Sequence, residues 1–257
     1  MSTTTNHENS PEGVRSPARI IVVTGGSRGL GYALVTQLAE AGHRVFALAR
    51  SCGEPGRFAT KTDGTSLTIE YLECDVRDPV AVRRAFEQVG EKCGCIDVLV
   101  NNAGTGVFVA VEKTSDELWH TTLATNLTGA FLCTKAVLPL MRASGGGLIV
   151  NVASIAAIRG VANLAAYSAS KAGLVGLGRA LAEELRPENI HVCNVIPGAI
   201  ATDFWEHAGL AANWDRQQML DVRDAAKIIA DVILAYPQVV VEEIQLMPRI
   251  GLIRSNP

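Results

Sequence analysis

A chain of 257 residues with 48% apolar side chains has the material for one sizeable core, and α/β folds of this length often form a single unit. Its formal net charge of −3, from 23 basic and 26 acidic side chains, leaves no basic stripe to follow the phosphates of a nucleic acid. No run reads as apolar and long enough to span a bilayer, and residues 1–17, polar and carrying Pro11 and Pro17, lack the apolar stretch of a signal peptide and read as a disordered tail.

Strand and helix signals then alternate to the C-terminus. Ile20 to Val23 is a β-branched run, and from Leu30 the apolar residues Leu30, Leu34 and Leu38 recur every four positions, the mark of a helix with one buried face that Gly42 stops. Strands are expected at Val45 to Ala49, Leu67 to Leu72 and Ile96 to Val100, with a helix at Ala81 to Val89 between the last two. Thr114-Ser115-Asp116-Glu117 has the form of a capping box opening a helix that runs to about Arg142, and Gly145-Gly146-Gly147 turns the chain into a strand at Leu148 to Val152. A helix from Leu164 to Leu185, a strand at Ile190 to Ile196, a helix from Val222 to Ala235 and a strand at Val239 to Leu246 complete the series. Short, nearly all-apolar strands alternating with helices predict a Rossmann-like, doubly wound parallel sheet of about seven strands covered on both faces. No repeat or linker divides residues 18–257, so a single domain is expected.

Six cysteines, at 52, 74, 93, 95, 133 and 193, are scattered through these elements, and the CxC at Cys93 and Cys95 is the wrong spacing for a redox CxxC or a zinc knuckle. Reduced thiols in a cytoplasmic protein are the expectation. The five histidines do not cluster, and no metal is implied.

The first strand feeds into Thr24-Gly25-Gly26-Ser27-Arg28-Gly29-Leu30-Gly31 and a helix. A sharp turn that lets a pyrophosphate approach its backbone needs residues without a Cβ, and the N–H groups at the helix start meet the negative charge. A glycine-rich turn can also be a plain connection, but its place after the first strand favours a dinucleotide. The second strand ends Ala49-Arg50-Ser51 with no acid to hold the 2′-hydroxyl of NAD, and Arg28 and Arg50 could together fork onto the 2′-phosphate of NADP. Both could instead be solvated surface arginines.

Tyr167 and Lys171 stand four apart on one helical face. An ammonium near a phenol, with an oxidised nicotinamide, would pull the phenol pKa from about 10 toward neutrality. Alone the pair could be a half-buried tyrosine and a surface lysine. Ser154 closes the fifth strand, at the edge where open α/β sheets bind ligands, and its hydroxyl could meet a substrate oxygen or merely cap a turn.

Taken together, the TGxxxGxG turn, Asn101-Asn102-Ala103-Gly104, Ser154, Tyr167-xxx-Lys171 and Pro197-Gly198 resemble, in order, the short-chain dehydrogenase/reductase family over about residues 18 to 248. The resemblance implies a carbonyl–alcohol oxidoreductase using NADP(H), with Tyr167 as general acid/base. Lys171 would hold the nicotinamide ribose and tune Tyr167, Ser154 would orient the carbonyl, and Asn126 would hold a water in a relay with Lys171. Without the family, Asn126 could equally be a buried amide satisfying a helix kink. The same resemblance gives Gly25, Ser27, Arg28, Gly29, Leu30, Gly31, Arg50, Asp75, Val76, Asn102, Ala103, Gly104, Pro197, Gly198 and Thr202 to the cofactor, with Asp75 at the adenine and Pro197, Gly198 and Thr202 at the carboxamide. The segment from about 199 to 220 reads as a lid in which Phe204, Trp205 and Trp214 supply apolar bulk and Asp203, Glu206 and Asp215 offer no basic cluster. Those aromatics could also be core. With Phe108 and Ile155 as further walls, Phe204 is expected against a small, uncharged ketone, aldehyde or alcohol. Dehydration, epimerisation or a non-catalytic NADP-binding role stand as alternatives, and the helices at 114–142 and 164–186 suggest a homodimer or homotetramer.

Overall fold

The computed structural model describes residues 18–51, 69–209 and 215–251. The expected tail at 1–17, Cys52, Leu67 and Trp214 lie outside the described residues. Seven parallel strands form one sheet in the order β3-β2-β1-β4-β5-β6-β7. They are β1 (Ile20–Thr24), β2 (Arg44–Ala49), β3 (Ile69–Glu73), β4 (Val98–Asn101), β5 (Gly147–Val152), β6 (Ile190–Pro197) and β7 (Glu243–Leu246). Strand order reverses between β1 and β4, and the crevice beyond their carboxyl ends is where sheets of this winding bind ligands.

Alternation along each strand sorts side chains between two layers. Ile21 and Val23 meet α1 (Gly29–Glu40) and, from the far end of the chain, α7 (Val222–Ala235). Val22 points the other way, into a layer shared with α2 (Pro79–Cys93), α4 (Gly129–Ala143) and the end of α5 (Ala165–Leu185). Leu34 and Leu38 on α1 are wholly buried, and each such side chain stabilises by about 1.5–3 kcal/mol. Asp221 caps α7 by accepting from the Arg223 and Asp224 amides, and the helix has the bounds its pattern predicts.

Three elements differ from expectation, each for an identifiable reason. Helix α2 begins two residues before Ala81 because Asp78 accepts from the Val80 amide and Pro79 takes the first helical position, and it runs on to a left-handed Gly94. Strand β7 is shorter than Val239 to Leu246: pairing starts at Glu243 opposite Asn194, while Val240 and Val241 pack on the core from the preceding loop. The helix expected from Thr114 is capped by Ser115, whose Oγ accepts from Leu118 N, and is three pieces, α3 (Asp116–Leu123), a π-helical turn at Ala124–Thr128, and α4. This 28-residue stretch, with mean hydropathy 1.2 over its best window, is by length and composition apolar enough to cross a bilayer, which corrects the expectation that no segment is. Here it lies on the sheet, with Cys133, Val137 and Met141 in the core.

One polar row crosses the interior. Asn101, Asn151 and Asn194 are register partners on β4, β5 and β6. Asn101 Nδ2 donates to Asn151 Oδ1 at 3.0 Å, and Asn151 Nδ2 to Asn194 Oδ1 at 3.2 Å. Helix α5 can lie against this row only because residue 178 is glycine, since a Cβ there would come within 2.1 Å of Asn194 Oδ1.

Candidate active site

The carboxyl ends of β1, β2, β4, β5 and β6 open onto one cleft of about 470 Å³. At its floor, Gly25 adopts a φ of +66° and α1 starts with no side-chain cap and no acidic residue in its first turn, so its N–H groups face the cleft free for an anion. A Cβ on Gly31 would meet the Gly25 carbonyl oxygen at 2.2 Å, so the turn closes only on glycine. Asn102 braces this turn by donating to the carbonyls of Thr24 and Gly25, at 2.9 and 3.2 Å, while Thr24 Oγ1 accepts from the amides of residues 102 and 103. A cradle of bare backbone donors fits the pyrophosphate of a dinucleotide.

The expected residues Gly25, Ser27, Arg28, Gly29, Leu30, Gly31, Arg50, Asp75, Val76, Asn102, Ala103, Gly104, Pro197, Gly198 and Thr202 all line this cleft, as do Ser154, Tyr167, Lys171, Phe204, Phe108, Ile155 and Trp205. Asn126, 1% exposed, sits behind the wall. Its Nδ2 donates to Thr105 O and Ser170 Oγ, and its Oδ1 accepts from Thr105 N. Both amide N–H groups and one lone pair of Oδ1 thus tie Thr105 to Ser170 of α5 beside the π turn. This geometry answers to the reading of Asn126 as a buried amide at a helix kink, because a π turn loosens the regular helical ladder there.

Ser154 follows β5, accepts from Ala156 N at 3.2 Å, and is near enough to Tyr167 to draw its phenol pKa down. Lys171, 3% exposed, donates to the Val152 carbonyl at 2.7 Å, with Nζ 5.8 Å from the Tyr167 ring centroid. Burial lowers the Lys171 pKa to about 8. Burial also raises that of Tyr167, against the opposing pull of Ser154. For Tyr167 desolvation dominates here, and the lysine is turned to a backbone carbonyl.

Sequence reasoning passed over Arg77, which forks onto Asp75 with bonds of 2.6 to 3.1 Å. That pair holds the Asp75 carboxyl below the usual range and puts a third arginine, after Arg28 and Arg50, on the cleft wall. The Asp75-Val76-Arg77 spacing, two residues apart in a turn, was the available signal. Also missed was α6 (Phe204–His207), the short helix of the lid. The lid is closed at its base by the Ile200–Leu220 bridge and pinned by Arg216, whose Nη2 lies 2.8 Å from Glu206 and 3.6 Å from Asp203. Its aromatics face inward rather than joining the core: the Phe204 ring lies 5.6 Å from that of Tyr167, and Trp205 lies 6.1 Å from Phe108.

A sheet of this winding, a glycine turn at its switch point and a Ser–Tyr–Lys set at the end of β5 define a nicotinamide-dependent oxidoreductase. The family model described as short chain dehydrogenase matches residues 19–212, and the chain belongs to the short-chain dehydrogenase/reductase family. It is 41% identical over 197 residues to carbonyl reductase family member 4 of Danio rerio, covering 76% of this chain and 80% of that one. It is 37% identical over 196 residues to the 3-oxoacyl-[acyl-carrier-protein] reductase MabA of Mycobacterium tuberculosis, covering 75% and 74%. An alcohol dehydrogenase from the archaeon Thermococcus sibiricus, solved with 5-hydroxy-NADP, superposes with a TM-score of 0.79 at 26% identity over 93% of this chain and 100% of that one.

Proposed function

We propose that this chain reduces an uncharged, mid-sized ketone or aldehyde to an alcohol, or runs the reverse, with NADP(H). The carrying observation is that Ser154 after β5 and Tyr167 on α5 line one cleft, with the buried Lys171 one helical turn from the tyrosine. NADP(H), when bound, supplies or accepts the hydride. In the direction of reduction, burial keeps the Tyr167 phenol protonated at neutral pH, ready to give its proton to the carbonyl oxygen. Ser154 holds that oxygen as charge gathers on it. Lys171, with its pKa near 8, stays largely cationic at neutral pH and offers a positive charge beside the phenol when the proton leaves. Arg28 and Arg50, with no acid at the end of β2, favour a 2′-phosphate over a bare ribose. The walls around Tyr167, namely Phe108, Ile155, Val161, Leu164, Phe204 and Trp205, are apolar and suit a neutral substrate. A homo-oligomer acting on a free small molecule, without nucleic acid or membrane, belongs to the same reading.

The test is NADPH consumption across simple ketones, aldehydes, diketones and quinones, with Tyr167→Phe alongside. Turnover should fall by about 10² to 10⁴ in the variant while NADPH fluorescence still reports binding. Activity confined to acidic compounds overturns the substrate class, and a fully active Tyr167→Phe overturns the chemistry.

A further inference from the structure

Three neighbouring strands each deliver one arginine to the same wall of the cleft. Arg28 sits in the turn after β1, Arg50 directly follows β2, and Arg77 lies in the turn after β3. Their surroundings differ. Arg28 Nη1 lies 3.0 Å from His207 Nε2 on the lid. Arg50 is exposed and makes no hydrogen bond or ion pair with any described residue. Arg77 is turned onto Asp75: its Nε lies 3.0 and 3.1 Å from the two carboxylate oxygens, its Nη2 lies 2.6 Å from Oδ2, and its amide donates to Oδ1 at 3.0 Å.

Among the described residues, the acids lining the cleft are Asp75 and Asp203, and Asp203 pairs with Arg216 on the lid. Asp75 is the one beside Arg50. Ala49 is the register partner of Glu73, and the Cys74 amide donates to the Ala49 carbonyl at 2.8 Å, so Arg50 and Asp75 leave adjoining strands just past their last bond. The Arg77 hydrogen bond chiefly holds the Asp75 carboxyl below its usual range, and the Arg50 charge adds to that effect. An unclamped Asp75 would pair with Arg50 or stand as a bare negative charge next to it, and either state opposes a phosphate there. We infer that Arg77 is a positioning residue for coenzyme choice, holding and neutralising Asp75 so that Arg50 is left for the 2′-phosphate. This rests on the NADP(H) reading above and deepens it. As a fold element the pair contributes little, since the two side chains are 37% and 30% exposed. Its effect lies in the charge it removes from the wall.

The readout is the ratio of the NADH to the NADPH dissociation constant, from fluorescence titration of the full chain without substrate. Adenine, pyrophosphate and nicotinamide are common to both coenzymes, so the ratio reads the 2′-phosphate and is unmoved by a merely structural role. Arg77→Gln should lower the wild-type ratio about fivefold, the scale of one exposed ion pair, with the melting temperature within about 2 °C. Adding Asp75→Asn to Arg77→Gln should return the ratio to within about twofold of the wild type, because no carboxylate is left to take Arg50. An unchanged ratio in Arg77→Gln overturns the inference. So does a loss that persists in the double variant, which would mean that Arg77 grips the phosphate itself. Neither result touches the coenzyme reading. That reading falls, and the inference with it, if the wild type binds NADPH no more tightly than NADH.

Discussion

The floor of the cleft and its lid are held by different physics. On the floor and behind it, Lys171 and Asn126 are fixed by burial and by hydrogen bonds to backbone, Lys171 on Val152 and Asn126 on Thr105. The lid, by contrast, is held by exposed charge contacts of Arg216 and by the Arg28–His207 bridge. Buried, backbone-directed bonds resist loss strongly, whereas exposed ion pairs contribute about 0–1 kcal/mol. One cleft thus combines a bank held by buried bonds with a bank held by exposed contacts that are each weak.

Substitutions should separate the two banks. The largest effect is expected from Lys171→Met, which should lose at least about 10² in turnover yet melt higher than the wild type. With the lysine pKa lowered from 10.5 to about 8, burying the charge costs the folded protein about 3 kcal/mol below pH 8. The sign follows from proton counts. Between about pH 8 and 10.5 the unfolded chain keeps a proton that the native lysine has lost, so native stability rises with pH through that window. Thermal melts from pH 7 to 10 should show the wild type closing on the variant, and parallel curves would remove burial as the cause.

Next comes Gly31→Ala. Its Cβ would press on the Gly25 carbonyl and on Asn102 Nδ2, at 2.2 and 2.5 Å, and such overpacking costs about 1–3 kcal/mol. Dinucleotide affinity should fall about tenfold to a hundredfold, with a lower melting temperature, and unchanged fluorescence titrations would mean that the turn is not the phosphate cradle. Smallest is Arg216→Gln on the lid. KM should rise several-fold with kcat within about twofold and the melting temperature within about 2 °C, since exposed pairs carry little stability. A melting loss as large as that of Gly31→Ala would place the lid with the folded core and erase the contrast.

Legibility in the sequence follows the same division. Strands β1, β2, β5 and β6, helix α7 and the glycine turn are set by local periodicity, β-branched runs and caps, all of which a sequence displays. Ser154 and the Tyr167–Lys171 spacing were legible because strand end and helical turn place them without long-range information. The π turn was not, because it depends on Asn126 meeting Thr105 and Ser170, partners 21 and 44 residues away. Nor was the start of β7, since Val239 to Val241 have strand-like side chains but pairing begins only where Glu243 reaches Asn194. The lid contacts escaped for a similar reason: Arg28 and His207 are 179 residues apart, and no local pattern links them.

The asparagine row through β4, β5 and β6 has a consequence for anyone wishing to reshape this molecule. Asn101 donates to Asn151 and Asn151 to Asn194, so replacing one leaves a donor or acceptor on its neighbour without that partner inside the buried sheet. The three positions form one heritable unit: drift or laboratory selection can exchange them together for a matched apolar set, while single steps toward that set run uphill.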